Sequence, residues 1–311
     1  MTRAVVFAYH DVGCRCLEVL LDARVEVPLV LTHRDSPGEN IWFASVADLA
    51  RGRDVACIAP EDPNAPEIVE RIRALQPDFL FSFYYRLMLK AALLAVPTRG
   101  AFNMHGSLLP KYRGRVPVNW AVLRGETSTG ATLHEMVVQP DAGRIVDQET
   151  VTISPEDLAV DVFRKVTAAA ARVLDRSLPR LIDGSASLRE QDISEGSYFG
   201  GRRPEDGRID WGRPARRVHD LVRAVAPPYP GAFSDVDGRR LRLLRTRLLG
   251  ERVPRQPQAL LYTKDGRPCV VCTDGGILEL LEMELDGKPL SAQEFAVQLD
   301  GRHLAPGREQ K

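Results

Sequence analysis

Short apolar runs alternate with helical patterns through the first third of the chain, and that alternation restricts the fold more than any single residue does. Residues 4–9 (Ala-Val-Val-Phe-Ala-Tyr), 25–32, 55–58 and 79–83 each read as a short strand. Between them a helical pattern runs through Leu17, Val19, Leu20 and Leu21, a second covers residues 45–51, and an amphipathic stretch covers 68–75. Strands that are apolar along their whole length and separated by helices predict a mostly parallel, Rossmann-like α/β sheet with helices on both faces. The first turn, His10-Asp11-Val12-Gly13, lacks a full G-x-G-x-x-G, so a nicotinamide cofactor is not expected.

Farther along, residues 118–123 read as a helix, and 132–138 with 144–152 as an antiparallel pair about the turn Pro140-Asp141-Ala142-Gly143. A long helix is predicted over about 157–183, opened by Ser154-Pro155-Glu156-Asp157. Residues 184–207 are rich in Gly, Ser and charge, as a crossing between domains would be. After Ile209-Asp210-Trp211 and a helix through Val218, Leu221, Val222 and Val225, strands follow at 239–248, 259–263, 268–273 and 277–285. Their regular spacing predicts a small β-barrel.

A length of 311 residues allows two domains, and a formal net charge of zero supplies no basic field to recruit nucleic acid. No apolar run of about 18 residues and no signal-peptide pattern is present, so no membrane insertion and a cytoplasmic location are expected. Cys269 and Cys272 have CxxC spacing but read as a strand, with no second pair to complete a zinc set. No metal site is expected. His134 reads as a packed core histidine, and His33, His219 and His303 have no partner pattern.

Chemistry concentrates in residues 103–119. Asn103 and His105 stand two apart at the end of an apolar run, so a strand sends both side chains to one side. An amide donor beside a group that titrates near neutrality suits acyl transfer to an amine, which needs an oxyanion donor and a base. The run Asn103-Met104-His105-Gly106-Ser107-Leu108-Leu109-Pro110-Lys111-Tyr112-Arg113-Gly114, followed by Asp141-Ala142-Gly143-Arg144-Ile145, resembles the active-site motifs of folate-dependent formyltransferases.

The resemblance covers the whole length: a Rossmann-like amino-terminal domain, then an OB-like domain announced by Ile-Asp-Trp and Pro230-Gly231-Ala232. It implies a catalytic domain over 1–190, a linker over 191–207 and an OB-like domain over 208–311. It is tightest with the nucleotide-sugar branch that acts on UDP-4-amino-4-deoxy-L-arabinose in lipid A modification and polymyxin resistance. The matching stretches include Phe81-Ser82-Phe83-Tyr84-Tyr85-Arg86 and Tyr198-Phe199-Gly200.

By this resemblance the co-substrate is 10-formyltetrahydrofolate. Asn103 donates to the oxyanion, His105 moves the proton, and Asp141 orients His105 and raises its basicity. Folate contacts fall on Leu87, Met88 and Leu89, on Arg115, and on Val137, Val138, Gln139, Pro140 and Asp141. Read from the residues alone, Leu87–Leu89 would be the apolar start of a helix. Tyr9, His10, Trp42, Phe43, Tyr84 and Tyr85 offer stacking faces for a nucleotide-sugar, and Arg115 could reach a phosphate or carboxylate.

Methionyl-tRNA formyltransferase and enzymes for other nucleotide-linked amino-sugars are the alternatives. The former carries a long basic loop after the second strand, where this chain has the short, mixed-charge, aromatic stretch His33–Phe43. A folate- or nucleic-acid-binding protein is the non-enzyme alternative. A separate decarboxylase partner and a homo-oligomer are both compatible with the sequence.

Overall fold

Phe79–Phe83 is buried at every position, as a strand covered on both faces must be, and it sits near the middle of the larger of two main sheets in this computed structural model. Residues 1–36 and 38–304 are described; Pro37 of the His33–Phe43 stretch and the last residues of the expected carboxyl-terminal domain lie outside them. In chain order the first elements are β1 (Arg3–Ala8), α1 (His10–Asp22), β2 (Glu26–Leu31), α2 (Val46–Gly52), β3 (Cys57–Ile58), α3 (Pro66–Ala74), β4 (Phe79–Phe83), α4 (Ala91–Leu94) and β5 (Gly100–His105). Then come β6 (Arg113–Gly114), α5 (Pro117–Arg124), β7 (Ser128–Glu135), β8 (Ile145–Thr152), α6 (Ala159–Asp183) and β9 (Tyr198–Phe199). The remainder is α7 (Ala215–Val225), β10 (Ala232–Val236), β11 (Arg239–Arg252), β12 (Ala259–Lys264), β13 (Arg267–Val271), β14 (Gly276–Leu285), β15 (Lys288–Pro289), α8 (Ala292–Gln298) and β16 (His303–Leu304).

Two units make up the chain. Met1–Pro117, Ser128–Thr152 and Phe163–Gly200 form the first; Val118–Thr127, Ile153–Val162 and the chain from Gly201 form the second. The first unit holds a seven-stranded sheet in the order β3-β2-β1-β4-β5-β7-β8, parallel through β5 and antiparallel beyond it. The mostly parallel α/β arrangement is therefore as the sequence predicts.

The boundaries differ for identifiable reasons. The third strand shortens to Cys57–Ile58 because the Val55 N–H donates back to the Ala50 carbonyl and closes α2. The strand expected from 132 begins at Ser128, paired with Thr152, and ends at Glu135. Opposite it, β8 carries an extra residue between Ile145 and Asp147, a bulge of the kind that often borders functional sites. The expected opening of the long helix becomes a turn, in which the Asp157 carboxylate accepts from the Ser154 N–H, and α6 starts two residues later.

In the second unit β10-β11-β14-β13-β12-β16 form an antiparallel barrel-like sheet, with β15 beside β14. Trp211 anchors it, fully buried, its indole N–H donating to Ser234 Oγ at 2.9 Å. The α7 helix buries an Asp220–Arg223 ion pair at 2.6 Å, with Arg223 also donating to the Asp157 carbonyl. Satisfaction of this kind is what allows a buried charge pair to persist.

Candidate active site

The register of β5 on β7 assembles the site. Asn103 and His105 share one face of β5, and their cross-strand partners on β7 are His134 and Thr132. The Thr132 hydroxyl donates to the Ser107 carbonyl at 2.6 Å and accepts from the Leu109 N–H and from Gln148 Nε2, which pins the loop leaving β5. Within that loop Gly106 lies under Tyr84. A Cβ on Gly106 would overlap the tyrosine hydroxyl, so glycine here lets the Tyr84 ring end lie against the loop.

Asp141 reaches the same face from the turn after β7, with its backbone in the left-handed region (φ 52°). Its Oδ1 stands 3.6 Å from His105 Nδ1 and 3.5 Å from His134 Nε2, while Oδ2 accepts from the Gly114 N–H at 2.9 Å. Burial works to raise its pKa, yet the positive charge that the His105 and His134 rings carry when protonated, with the Gly114 donor, outweighs it and holds the carboxyl well below the ordinary carboxylate range. The other nitrogen of His105 is also engaged: Nε2 donates to the Tyr112 carbonyl at 2.8 Å. Asn103, His105 and Asp141, far apart in sequence, thus form one cluster.

Two partners of that cluster were not singled out as site residues by sequence. His134 is buried, as a core histidine would be, but its Nε2 lies 3.1 Å from Asn103 Nδ2. The period-two spacing of Thr132 and His134, opposite that of Asn103 and His105, was the available signal. Gln191 is the second: its amide donates to the carbonyls of Asp141 and Gly143 and holds their turn. Residues 191–199, expected in a linker, fold back on the site loop. Ser197 Oγ accepts from the Tyr112 N–H, and β9 pairs with β6 in parallel. A Gly/Ser-rich composition signals the absence of a continuous helix or strand, and here it reflects a strap rather than a free connection.

The expected folate segments divide by exposure. Leu89 is core, whereas Leu87, Met88, Val137 and Val138 are four of the eleven exposed large apolar side chains among the described residues. Gln139 is exposed and Pro140 half-buried. Asn64 braces the first segment, donating to the Met88 carbonyl at 2.9 Å and accepting from the Lys90 N–H at 2.7 Å. Arg115 donates to the Arg86 carbonyl at 3.2 Å.

The aromatic residues pack on one another at the carboxyl end of β1. His10 stacks on Phe43 with centroids 3.8 Å apart, and meets Trp42 and Phe163 edge-on. Arg86 lies over the Tyr9 ring and is paired with Glu39, while the Tyr9 hydroxyl donates to Asp35. Burial, reinforced by the Arg86 charge, pushes His10 down to about 3 and His33 down to about 4. Beside them a cavity of about 550 Å³ opens at the ends of β1, β2 and β3, lined among others by Tyr9, Thr32, His33, Arg34, Phe43 and Arg51. Among the described residues no cluster of three or more His, Cys, Asp or Glu is placed to hold a metal ion, and no helix is long and apolar enough to cross a membrane.

An amide, a buried imidazole and a carboxylate meet at the end of a mostly parallel sheet, an arrangement chemically able to serve acyl transfer. Residues 23–178 match the family described as formyl transferase, and residues 202–299 match the formyl transferase carboxyl-terminal domain. The chain belongs to the formyl transferase family.

Solved structures share the fold. An N-formyltransferase from Helicobacter canadensis, in complex with folinic acid and dTDP-3-aminofucose, is 19% identical over 90% of this chain and 99% of its own, with a TM-score of 0.73. WlaRD, a sugar 3N-formyl transferase crystallised with dTDP and 5-N-formyl-THF, is 18% identical over 93% of this chain and 99% of its own, with a TM-score of 0.72. A 4-N formyltransferase from Francisella tularensis is 20% identical over 75% of this chain and 91% of its own, with a TM-score of 0.61.

Proposed function

We propose that this protein transfers the formyl group of 10-formyltetrahydrofolate to the 4-amine of UDP-4-amino-4-deoxy-L-arabinose. The observation that carries the chemistry is the convergence of half-buried Asn103 and Asp141 with buried His105 on one face of β5. The neutral amine attacks the formyl carbon, and the resulting oxyanion takes a hydrogen bond from Asn103 Nδ2. With Nε2–H held on the Tyr112 carbonyl, neutral His105 carries its lone pair on Nδ1. That atom takes the proton the amine sheds, beside a carboxylate that stabilises the imidazolium. The same proton passes to N10 as the C–N10 bond breaks, giving the formamide and tetrahydrofolate.

Exposed Leu87, Met88, Val137 and Val138 support a flat, largely apolar co-substrate along those segments. The solved relatives bound to folinic acid or 5-N-formyl-THF point to the same donor class. For the acceptor, the cavity beside Tyr9 is informative. In the strand order, β2 stands three positions from β5, about 14 Å at about 4.8 Å per strand. An acceptor that puts an amine at His105 and a polar body in that cavity is an extended molecule, as a nucleotide-sugar is. Relatives bound to dTDP or a dTDP-sugar support that class. The uracil nucleotide and the arabinose rest on the sequence resemblance to the formyltransferase half of ArnA, as does a role in lipid A modification and polymyxin resistance.

Formyl transfer is tested with 10-formyltetrahydrofolate and UDP-4-amino-4-deoxy-L-arabinose, with dTDP-amino-sugars and initiator methionyl-tRNA in parallel. Turnover of the UDP-sugar, abolished in His105→Ala, is the expected result. Turnover of a dTDP-sugar or of the tRNA alone would keep the chemistry and overturn the acceptor.

A further inference from the structure

We infer that His134 is a positioning residue, locked as the neutral Nδ1–H tautomer, whose bare Nε2 sets which end of the Asn103 amide faces the reacting carbonyl. The inference rests on the reading of Asn103 as oxyanion donor and extends it by one residue.

The argument starts from an acceptor that cannot donate. His134 Nδ1 lies 2.8 Å from the Glu135 carbonyl oxygen, and a carbonyl makes that contact favourable only if Nδ1 carries the proton. In a neutral ring Nε2 is then a lone pair. Facing it at 3.1 Å is Asn103 Nδ2, which donates one of its two hydrogens there and keeps the other. An amide flipped by 180° would set the Asn103 oxygen against that lone pair, and two acceptors at this distance repel. The order of hydrogen bonds therefore runs from the Glu135 carbonyl through the ring to the amide.

The opposite tautomer fits poorly. It would place Nε2–H 3.1 Å from a reversed Asn103 amide and 3.5 Å from Asp141, but it would oppose two lone pairs at Glu135 at 2.8 Å, and that contact decides against it. The groups facing the ring are Asn103 and His105 from β5, Asp141 from the turn, and apolar Ile145 opposite on β8. A second proton on His134 would turn Nε2 into a donor and reverse the amide. Gly143 guards the same carbonyl: a Cβ there would overlap the Glu135 oxygen, so glycine at this position keeps the tautomer-setting acceptor in place.

Two independent readouts test this. In the enzyme labelled with 15N-histidine, long-range 1H–15N correlations at pH 7.5 should show Nδ1 protonated and Nε2 bare for His134; an Nε2–H ring overturns the proposal. His134→Gln, which keeps an acceptor toward Asn103, should hold kcat within about threefold and preserve the Asn103 side-chain amide resonances. By contrast, His134→Leu should shift those resonances and lower kcat by about 10²- to 10³-fold at unchanged KM, as removal of an oxyanion donor does. The double variant Asn103→Ala/His134→Leu should be no slower than Asn103→Ala alone, and additive losses overturn the relay. If His134→Leu does not fold, the tautomer and the Gln variant decide the question. Should Asn103→Ala itself leave kcat intact, the oxyanion reading fails, while the tautomer and amide resonances still report on the relay.

Discussion

Asp141 and Gly143 answer opposite backbone demands within one three-residue motif. Asp141 accepts a left-handed conformation to bring its carboxylate between two histidines, and Gly143 lacks a side chain because the Glu135 carbonyl occupies the space. Asp141→Asn keeps the shape and removes the charge that, in the proposed mechanism, stabilises the His105 imidazolium. We expect kcat to fall by about 10²-fold or more, within the range for disrupted acid–base catalysis, with the folate KM nearly constant in steady-state assays. Gly143→Ala displaces the Glu135 carbonyl instead. A loss of about 1–3 kcal/mol of unfolding free energy in urea, accompanied by a loss of kcat, is the expected signature. Loss of stability with full kcat would separate the turn from the chemistry.

Among the elements, the loop after β4 owes its form to a side chain outside it. Asn64 holds the Met88 carbonyl and the Lys90 N–H, so Asn64→Ala should raise the 10-formyltetrahydrofolate KM about tenfold, one net hydrogen bond's worth, while leaving kcat unchanged. The α/β alternation was legible because β1, β2 and β4 are apolar throughout, and the Asn103/His105 pair because a strand has period two. What escaped the sequence depended on partners remote in the chain. The β6–β9 pair is two residues long and leaves no periodic trace. The placement of His134 beside Asn103 depends on β5–β7 register, which only the fold supplies. By contrast α8 carries a local signal of its own: Ser291 and Glu294 form a capping box directly before its apolar residue Phe295. The Asp141 cluster was half legible, in that the motif named the residues while the Tyr112 carbonyl that takes His105 Nε2 comes from loop geometry.

At the scale of the whole molecule, two half-buried histidines held neutral contribute to the response to acid. His10 and His33 have folded-state values of about 3 and about 4, below the ordinary value near 6.5, so the unfolded chain binds more protons than the folded one between these limits. Their contribution is therefore complete above about pH 6.5 and declines as pH falls toward 4. Asp141, held low, adds a loss of its own only at still lower pH. Urea midpoints measured from pH 8 to 4 should decline below 6.5, and His10→Asn, which tolerates the left-handed backbone at that position, should flatten the slope. A midpoint that stays level to pH 4.5 would contradict this assignment. The β9 strap carries a different consequence, for synthesis. A chain emerging amino-terminus first has made Asn103, His105 and Asp141 well before Ser197 and Phe199 appear, yet the loop that holds His105 is braced by those later residues. The site matures only when the strap has left the ribosome, and a minimal catalytic fragment cut at residue 190 would preserve every motif while lacking the brace that sets its loop.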